Sequence, residues 1–258
     1  MITAGIDVGS LWTKAVVVRD GAVAGSHFAP TGANGGAAAA VLGEALAALG
    51  LPAERLDAIV AIGAGKAETG LAVEAGNDVL CAARGVRRLF PDCRGVIDLG
   101  GESTQAFKLD DAGNVLELAV SDKCAAGTGV FLEAVGKLMR VGPEEMGPLA
   151  LQSSADIAIT STCVVFAESE VVSLIHRQTP RADILRALHR SIATRMFGLV
   201  GRVGLGAGTV AIGGLAQNVG IRSYLEQLMK APLVVPERPQ TVAALGAALV
   251  AAERRGAP

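Results

Sequence analysis

The chain has 258 residues, of which 51% are hydrophobic and 33 are glycine, while only 3% are aromatic. This length suffices for one large or two modest domains, and the composition favours an α/β protein over a β-sandwich or a coiled coil. The formal net charge is −2, which argues against nucleic acid or an anionic membrane surface as a partner.

The predicted elements follow a repeating order along the chain. The first half is predicted to contain strands Ile2–Ile6, Ala15–Val18 and Gly21–Phe28, helix Ala37–Leu49, strand Ala58–Ile62 and helix Gly70–Leu89. The second half is predicted to contain strands Gly95–Leu99, Ala106–Leu109 and Val115–Val120, helices Phe131–Met139, Ala167–His176 and Ile184–Val203, strand Val210–Ile212, and helices Ile221–Met229 and Thr241–Arg255.

Two short patterns recur in the same order in both halves. Asp7 and Asp98 each end a hydrophobic strand, have a glycine two residues later and open a β-hairpin, and Val60-Ala61-Ile62-Gly63 recurs as Val210-Ala211-Ile212-Gly213. We therefore expect two related α/β lobes with a cleft between them.

The expected lobe boundaries follow from this repeat. The first lobe is predicted to comprise residues 1–97 and 241–258, and the second to comprise residues 98–240. Because no low-complexity linker separates them, the lobes are expected to be hinged.

The two loops that end in an acidic strand are candidate phosphate-binding loops. Backbone N–H groups at a glycine-rich turn can bind phosphate oxygens, and a carboxylate can hold Mg²⁺ through water. The candidates are Asp7, Gly9, Ser10 and Lys14 in the first loop, and Asp98, Gly100 and Gly101 in the second. Either loop alone could be a plain hairpin turn, but the two together favour a nucleotide triphosphate site.

A third glycine loop follows the strand Val210–Ile212. Gly213 and Gly214 can lie against adenosine or phosphate, and Asn218 can cap the following helix or contact the ligand. A simple strand-to-helix turn is the alternative interpretation.

Two of the four cysteines lie in polar segments that lead into predicted helices. Cys124 precedes Gly127, Thr128 and Gly129, which offer N–H donors at a helix N-terminus, and Cys163 also comes just before a helix. A helix dipole at these positions favours thiolate, whereas Cys81 and Cys93 are interpreted as buried thiols. Two cysteines per chain become four in a twofold dimer, which permits one bridging [4Fe–4S] cluster.

The N-terminus resembles no signal peptide, and the longest apolar stretch, Val242–Ala252, is too short to span a bilayer. We therefore expect a cytoplasmic location without a membrane partner. A reducing compartment disfavours structural disulfides.

Five blocks of sequence together resemble the ATPase activators of 2-hydroxyacyl-CoA dehydratases, and are also similar to the ATPase subunits of benzoyl-CoA reductase. These blocks are Gly5–Lys14, Val96–Gln105, Asp122–Glu133, Ser161–Val171 and Gly213–Asn218. The resemblance covers essentially the whole chain, and its acidic glycine loops are shared with sugar kinases, actin and chaperone ATPases. It implies an α/β fold with two related actin-like (ribonuclease H-like) lobes and an ATP cleft between them.

The resemblance also implies a function. In that family, two identical or related subunits hold one [4Fe–4S] cluster, and ATP hydrolysis with Mg²⁺ drives a low-potential electron into a CoA-ester dehydratase or reductase. An upstream ferredoxin or flavodoxin is implied as the electron donor. Cys124 and Cys163 match the cluster-ligand positions, and the glycine-loop residues named above match the nucleotide loops.

Three departures from the family pattern are visible. Glu102 stands where Gln is common after Gly-Gly, Leu11-Trp12 replaces small residues, and Gly63-Ala64-Gly65-Lys66 replaces a Gly-Tyr-Gly-Arg pattern. Asp7, Asp98 and Glu102 are the candidate catalytic residues, and Glu102 affects how water or phosphate is held.

Three alternatives to a dehydratase activator remain open. The chain could be an ATPase subunit of a benzoyl-CoA reductase-type complex, a small-molecule kinase without a cluster, or a non-catalytic nucleotide-gated scaffold. The cysteine blocks favour the electron-transfer functions over the last two.

Overall fold

The structure is a computed structural model that describes residues 1–32, 37–121, 129–159 and 164–256. The chain divides into two compact units. Unit 1 comprises Met1–Arg94, Leu109–Leu116 and Pro236–Pro258, and unit 2 comprises Gly95–Lys108 and Glu117–Val235. The boundaries expected from the sequence differ at three places: residues 95–97 belong to unit 2, whereas residues 236–240 and the tip of a hairpin, Leu109–Leu116, belong to unit 1.

Unit 1 is a five-stranded sheet with helices on both faces. Its elements are β1 (Ile2–Val8), β2 (Trp12–Arg19), β3 (Ala22–Pro30), α1 (Ala37–Ala47), β4 (Ala58–Ile62), β5 (Glu74–Ala75), α2 (Asp78–Leu89) and α8 (Val242–Arg254). The strand order is β3-β2-β1-β4-β5, in which β1 is antiparallel to β2 and parallel to β4.

Alternation along β1 and β2 decides which helix covers each face of this sheet. Ile6 and Val17 belong to a buried cluster with α1, whereas Val16 and Val18 pack with Leu245 and other residues of α8. Such two-sided burial is typical of a sheet in an α/β protein. The Thr3 hydroxyl also donates to the carbonyl oxygen of Ala248 over 2.8 Å, which fixes α8 against β1.

Unit 2 carries a four-stranded sheet and a larger helical layer. Apart from the hairpin tip, its elements are β6 (Gly95–Leu99), β7 (Thr104–Leu109), β8 (Val115–Val120), α3 (Gly129–Met139), α4 (Pro143–Gln152), α5 (Val164–His176), α6 (Arg181–Val203), β9 (Val210–Ile212) and α7 (Val219–Met229). The strand order is β8-β7-β6-β9, in which β6 is antiparallel to β7 and parallel to β9.

The core of unit 2 joins the sheet to its helices. Ile97 and Leu99 of β6 pack in one buried cluster with Phe131 of α3, Ile192 of α6 and Ile221 of α7. The two sheets share one arrangement: β1 is antiparallel to β2 and parallel to β4, and β6 is antiparallel to β7 and parallel to β9. This confirms the prediction of a mixed α/β fold with two related lobes.

One predicted helix begins later in the structure, and two elements, β5 and α4, were not predicted. The helix expected over Gly70–Leu89 begins only at Asp78, because Gly70 has a φ of +65° and Gly76 lies against Ile62 and Val60 of β4. Its N-terminus is capped by the Asn77 side chain, which accepts from the amide of Leu80. Helix α4 is absent from the predicted elements, because Gly147 and Pro148 stand inside it.

Candidate functional site

The loop after β1 is built around an ion pair between two predicted site residues. Asp7 and Lys14 are cross-strand partners in the β1–β2 hairpin, and Nζ of Lys14 lies 2.9 Å from Oδ2 of Asp7. The two side chains are only 17% and 14% exposed, so the pair is poorly screened by water. The carboxylate is therefore held in one place at the entrance to the turn.

The turn itself is narrow and braced by the end of β3. The amide of Gly9 donates to the carbonyl oxygen of Trp12 over 3.1 Å, and Ser10 lies inside this turn. The hydroxyl of Thr31 donates to the carbonyl oxygen of Gly9 over 2.7 Å, and the amide of Thr31 donates to the carbonyl oxygen of Leu11 over 3.0 Å. These hydrogen bonds give the Gly9–Trp12 turn a defined backbone conformation.

The loop after β6 repeats this geometry in unit 2. Asp98 is the cross-strand partner of Gln105, and the amide of Gly100 donates to the carbonyl oxygen of Ser103 over 3.0 Å. By this correspondence Gly101 takes the position of Ser10, and Glu102 takes the position of Leu11. The exposed Glu102 therefore sits at the outer end of the turn.

A glycine with positive φ is packed against each acidic strand end. Gly63 (φ +90°) follows β4 and Gly213 (φ +88°) follows β9. A Cβ atom on Gly63 would lie 2.7 Å from Oδ1 of Asp7, and one on Gly213 would lie 2.6 Å from Oδ1 of Asp98. Because side chains at these two positions would displace the carboxylates, the repeated Val-Ala-Ile-Gly sequence has the same structural cause in both units.

The loop after β9 leads directly into a capped helix. Gly214–Gln217 form a single 3-10 turn, and Asn218 caps α7. Its Oδ1 atom accepts from the amides of Gly220 and Ile221 over 2.9 and 3.0 Å. Asn218 is therefore a helix cap here, and contact with a nucleotide stays a prediction.

Helix α3 begins on the second acidic loop. The amide of Gly129 donates to the carbonyl oxygen of Gly100 over 3.4 Å, and that of Val130 donates to the carbonyl oxygen of Gly101 over 2.9 Å. The expected role of Gly129 as a phosphate donor stays a prediction, but here its amide bonds to the loop. Gly127 and Thr128 lie outside the described residues.

The predicted cluster cysteines, Cys124 and Cys163, also lie outside the described residues. The other two are buried in unit 1, and burial raises the pKa of the Cys81 thiol to about 11. Cys81 is therefore a protonated thiol at neutral pH. Within the described ranges, no three His, Cys, Asp or Glu side chains are grouped so that they could hold a metal ion.

The first turn of α5, immediately after Cys163, exposes large apolar side chains. Val165 and Phe166 are each 65% exposed. Exposed apolar residues grouped in this way are typical of a protein-binding surface. Among the described helices, none is long and apolar enough to cross a membrane.

One polar residue that the motifs did not single out lies beside the third loop. His189 of α6 is fully buried, and its Nδ1 atom is 2.7 Å from the carbonyl oxygen of Leu185. Its ring lies next to Gly220 and Asn218 at the start of α7. The sequence offered no signal for this contact, because 29 positions separate His189 from Asn218.

The chain is similar over nearly its whole length to activators of 2-hydroxyacyl-CoA dehydratases. The chain is 36% identical over 252 residues to the 2-hydroxyisocaproyl-CoA dehydratase activator of Clostridioides difficile, with 97% of this chain and 95% of the relative covered. The structure of such an activator with bound ADPNP matches with a TM-score of 0.91 and 36% identity over 98% of this chain and 95% of that chain. The activator of lactoyl-CoA dehydratase from Anaerotignum propionicum is 38% identical, with 98% of each chain covered.

Two more distant similarities concern the benzoyl-CoA reductase and kinase alternatives. One of the benzoyl-CoA reductase subunits of Thauera aromatica is 32% identical, with 80% of this chain and 74% of the relative covered. A ROK family glucokinase from Streptomyces griseus shares the fold, with a TM-score of 0.56 and 17% identity over 99% of this chain and 100% of that chain. Residues 4–251 match the sequence pattern of the BadF/BadG/BcrA/BcrD ATPase family, and the chain therefore belongs to this family.

Proposed function

We propose that this chain hydrolyses MgATP to drive low-potential electron transfer into a 2-hydroxyacyl-CoA dehydratase-type partner. The observation that carries the proposal is the attachment of α3 to the Gly100–Gly101 loop. Gly129, the first residue of α3, stands five positions after Cys124. A change at the acidic loop therefore has a short backbone route to the cysteine segment.

The residues of both acidic loops fit MgATP. Asp7 and Asp98 provide carboxylates for a hydrated Mg²⁺ ion, and Lys14 provides a cation for phosphate oxygens. A Cβ atom on Gly9 would lie 2.9 Å from the carbonyl oxygen of Trp12, and one on Gly100 would lie 2.6 Å from that of Ser103, so glycine permits each tight turn. The backbone N–H groups of such turns can bind phosphate oxygens. We assign Asp7, Asp98 and Glu102 as the candidates for positioning metal and water.

The donor set of the chain fits a cluster shared by two chains. Cys124 and Cys163, which match the cluster-ligand positions of the family, are the proposed ligands, whereas Cys81 and Cys93 are buried; a second identical or related chain completes a set of four. The exposed Val165 and Phe166 beside Cys163 support a protein surface there. A bound [4Fe–4S] cluster would supply one-electron redox chemistry, with a ferredoxin or flavodoxin proposed as the source of the electron.

The alternatives have weaker support. The dehydratase activators align over nearly the full length of both chains, whereas the benzoyl-CoA reductase component aligns over less of each. This favours a separable activator over a permanent part of a reductase. The glucokinase similarity concerns the fold alone and does not favour sugar phosphorylation.

Anaerobic reconstitution with iron and sulfide tests the proposal. The native chain should bind about two Fe per chain, as one four-iron cluster per pair requires. Cys124→Ala and Cys163→Ala should each abolish iron binding, and the matched control Cys81→Ala should retain it. A native chain that hydrolyses ATP but binds no iron would show that the electron-transfer proposal is wrong.

A second assay separates the enzyme classes. MgATP hydrolysis should occur without any alcohol acceptor, and glucose used as a probe should not be phosphorylated. Phosphoryl transfer to glucose, with no iron bound, would favour the kinase alternative.

A further inference from the structure

The segment that follows α4 is extended and lies along one face of α6. Residues 153–159 form no helix or strand, and their odd-numbered positions are less exposed than their even-numbered ones. Ile157 and Ile159 pack against the buried core of unit 2. In the described part of the chain, residues 154–159 make no backbone-to-backbone hydrogen bond, so side chains must fix this segment.

Three side chains of α6 contact the segment from one face of the helix. Asp183, Arg186 and Arg190 are three and four positions apart, which places them on the same side of the helix. Oδ1 of Asp183 accepts from the Ser153 hydroxyl over 2.7 Å, and Nη1 of Arg190 lies 2.9 Å from Oδ1 of Asp156. The side chains of the Arg190–Asp156 pair are 44% and 93% exposed, so water screens this pair and it contributes little.

Arg186 makes the central contacts, and they go to backbone atoms. Its Nε atom donates to the carbonyl oxygen of Ala155 over 3.0 Å, and its Nη1 atom donates to that of Ser153 over 2.8 Å. In an extended chain, carbonyl groups two residues apart point to the same side. One planar guanidinium therefore fixes both the position and the direction of the segment, which a single point charge could not do.

Tyr224 of α7 holds the guanidinium in place. Nη1 of Arg186 also donates to the Tyr224 hydroxyl over 3.2 Å, and that hydroxyl donates to the carbonyl oxygen of Ala150 over 3.1 Å. Cζ of Arg186 lies 5.7 Å from the centroid of the buried Tyr224 ring. Ala150 is in the last turn of α4, where carbonyl groups have no partner within the helix. Helices α4, α6 and α7 are thus joined through one guanidinium and one hydroxyl.

We propose that Arg186 is a positioning residue for Cys163. Position 163 comes four residues after Ile159, so the segment that Arg186 holds leads directly to this proposed cluster ligand. Groups that orient metal ligands contribute to metal affinity, because the ligands must be held in a narrow range of geometries. The inference rests on the proposed cluster-binding function, and it assigns Arg186 no contact with iron or sulfide.

Alkylation of the metal-free, reduced protein tests this role without a cluster. The labelling rate of Cys163, measured on its peptide by mass spectrometry, reports how the thiol is held, and Cys124 in the same molecule is the internal reference. Arg186→Met should raise the ratio of the Cys163 rate to the Cys124 rate by about threefold or more, because a loosened thiol is more accessible. Arg186→Lys keeps the charge but loses the fork of donors, so its ratio should lie between the two.

Three further variants separate positioning from a general loss of stability. Leu199→Ala removes buried volume from α6 in a separate cluster, so it should lower the thermal stability and leave the labelling ratio unchanged. Arg190→Met removes an exposed ion pair from the same helix face and should match the native protein. Tyr224→Phe deletes only the hydroxyl and should raise the ratio by about twofold. This variant decides the question if Arg186→Met does not fold.

The reconstituted protein gives a second measurement. Iron should pass to a ferrous chelator about threefold or more faster from Arg186→Met than from the native protein. A native labelling ratio in both Arg186→Met and Tyr224→Phe would overturn the inference, and so would an equal rise in Leu199→Ala. A native chain that binds no iron would instead overturn the proposed function, while the dependence of Cys163 labelling on Arg186 would stand.

Discussion

The amide of Val130 donates to the carbonyl oxygen of Gly101 over 2.9 Å, which joins the first turn of α3 to the loop after Asp98. Gly129 lies at the same junction, where a Cβ atom would be 3.3 Å from the Cα atom of Gly101 and 3.5 Å from Cγ of Leu215. Helix and loop are therefore in backbone contact. A displacement of the loop must move α3 or break these hydrogen bonds.

The first prediction is that Gly129→Ala uncouples this junction. The added methyl group requires a shift of a few tenths of an ångström between α3 and the Gly101 backbone. We expect a loss of about 1–2 kcal/mol of stability and a several-fold lower MgATP hydrolysis rate. In the reconstituted protein, MgATP should also change the EPR spectrum less than it does in the native protein.

Gly198→Ala provides a matched control for this variant. Gly198 lies inside α6, and a Cβ atom there meets nothing within 4 Å. It should leave hydrolysis unchanged and stabilise the protein slightly, because Gly in a helix interior costs about 0.5–1 kcal/mol relative to Ala. If Gly129→Ala behaves like Gly198→Ala, the junction does not transmit the loop position.

The second prediction concerns the Asp7–Lys14 ion pair. Lys14→Met keeps most of the side-chain volume but leaves Asp7 without its partner at a site that is 17% exposed. We expect a loss of about 1–3 kcal/mol, because a mostly buried carboxylate becomes uncompensated. Chemical denaturation of the ligand-free protein measures this loss.

The double variant Lys14→Met/Asp7→Asn should recover part of the lost stability, since no charge then remains unpaired. A coupling free energy of about 1 kcal/mol or more is expected from the double-mutant cycle. Gln105→Met, at the corresponding hairpin position of unit 2, should cost less than Lys14→Met. Additive effects in the cycle would contradict a stabilising ion pair.

Much of the fold could be predicted from local sequence signals. The two acidic strand ends and the repeated Val-Ala-Ile-Gly sequence predict paired units, because each signal is short and has a direct backbone consequence at Gly63 and Gly213. The break before Asp78 escapes prediction, since residues 71–75 are compatible with a helix while Gly76 is required to pack against β4. Tertiary packing overrides propensity at such positions.

The candidate site shows the same division between local and non-local signals. The Asp7 and Lys14 positions face each other through hairpin register alone, so a sequence pattern suffices to group them. His189 and Asn218 meet only because α4, α6 and α7 pack with glycines at their crossings. Chain separation hides such a contact from any motif.

The third prediction compares two adjacent glycines. Gly213→Ala forces a residue at φ +88° to carry a methyl group that would lie 2.6 Å from Oδ1 of Asp98. We expect a loss of about 2–4 kcal/mol from backbone strain and overpacking. Gly214→Ala is the stability control, because a Cβ atom there meets nothing within 4 Å. Equal midpoints of urea denaturation for the two variants would contradict this account of the loop.

The fourth prediction follows from the buried imidazole of His189. Burial lowers its pKa from 6.5 to about 4 in the folded state. The unfolded state therefore binds a proton first as the pH falls, so the stability present above pH 6.5 is lost progressively between pH 6.5 and about 4. At pH 5 the expected loss is about 2 kcal/mol relative to pH 7.5.

The variant His189→Gln isolates this contribution, because it removes the titrating group and keeps every other ionisable residue. We expect the difference in unfolding free energy between native and variant proteins to shrink or reverse by about 2 kcal/mol from pH 7.5 to pH 5. Urea denaturation of both proteins at several pH values in this range measures the difference. Parallel stability curves would mean that His189 accepts a proton in the folded protein as readily as in the unfolded chain, which would contradict a buried, neutral ring.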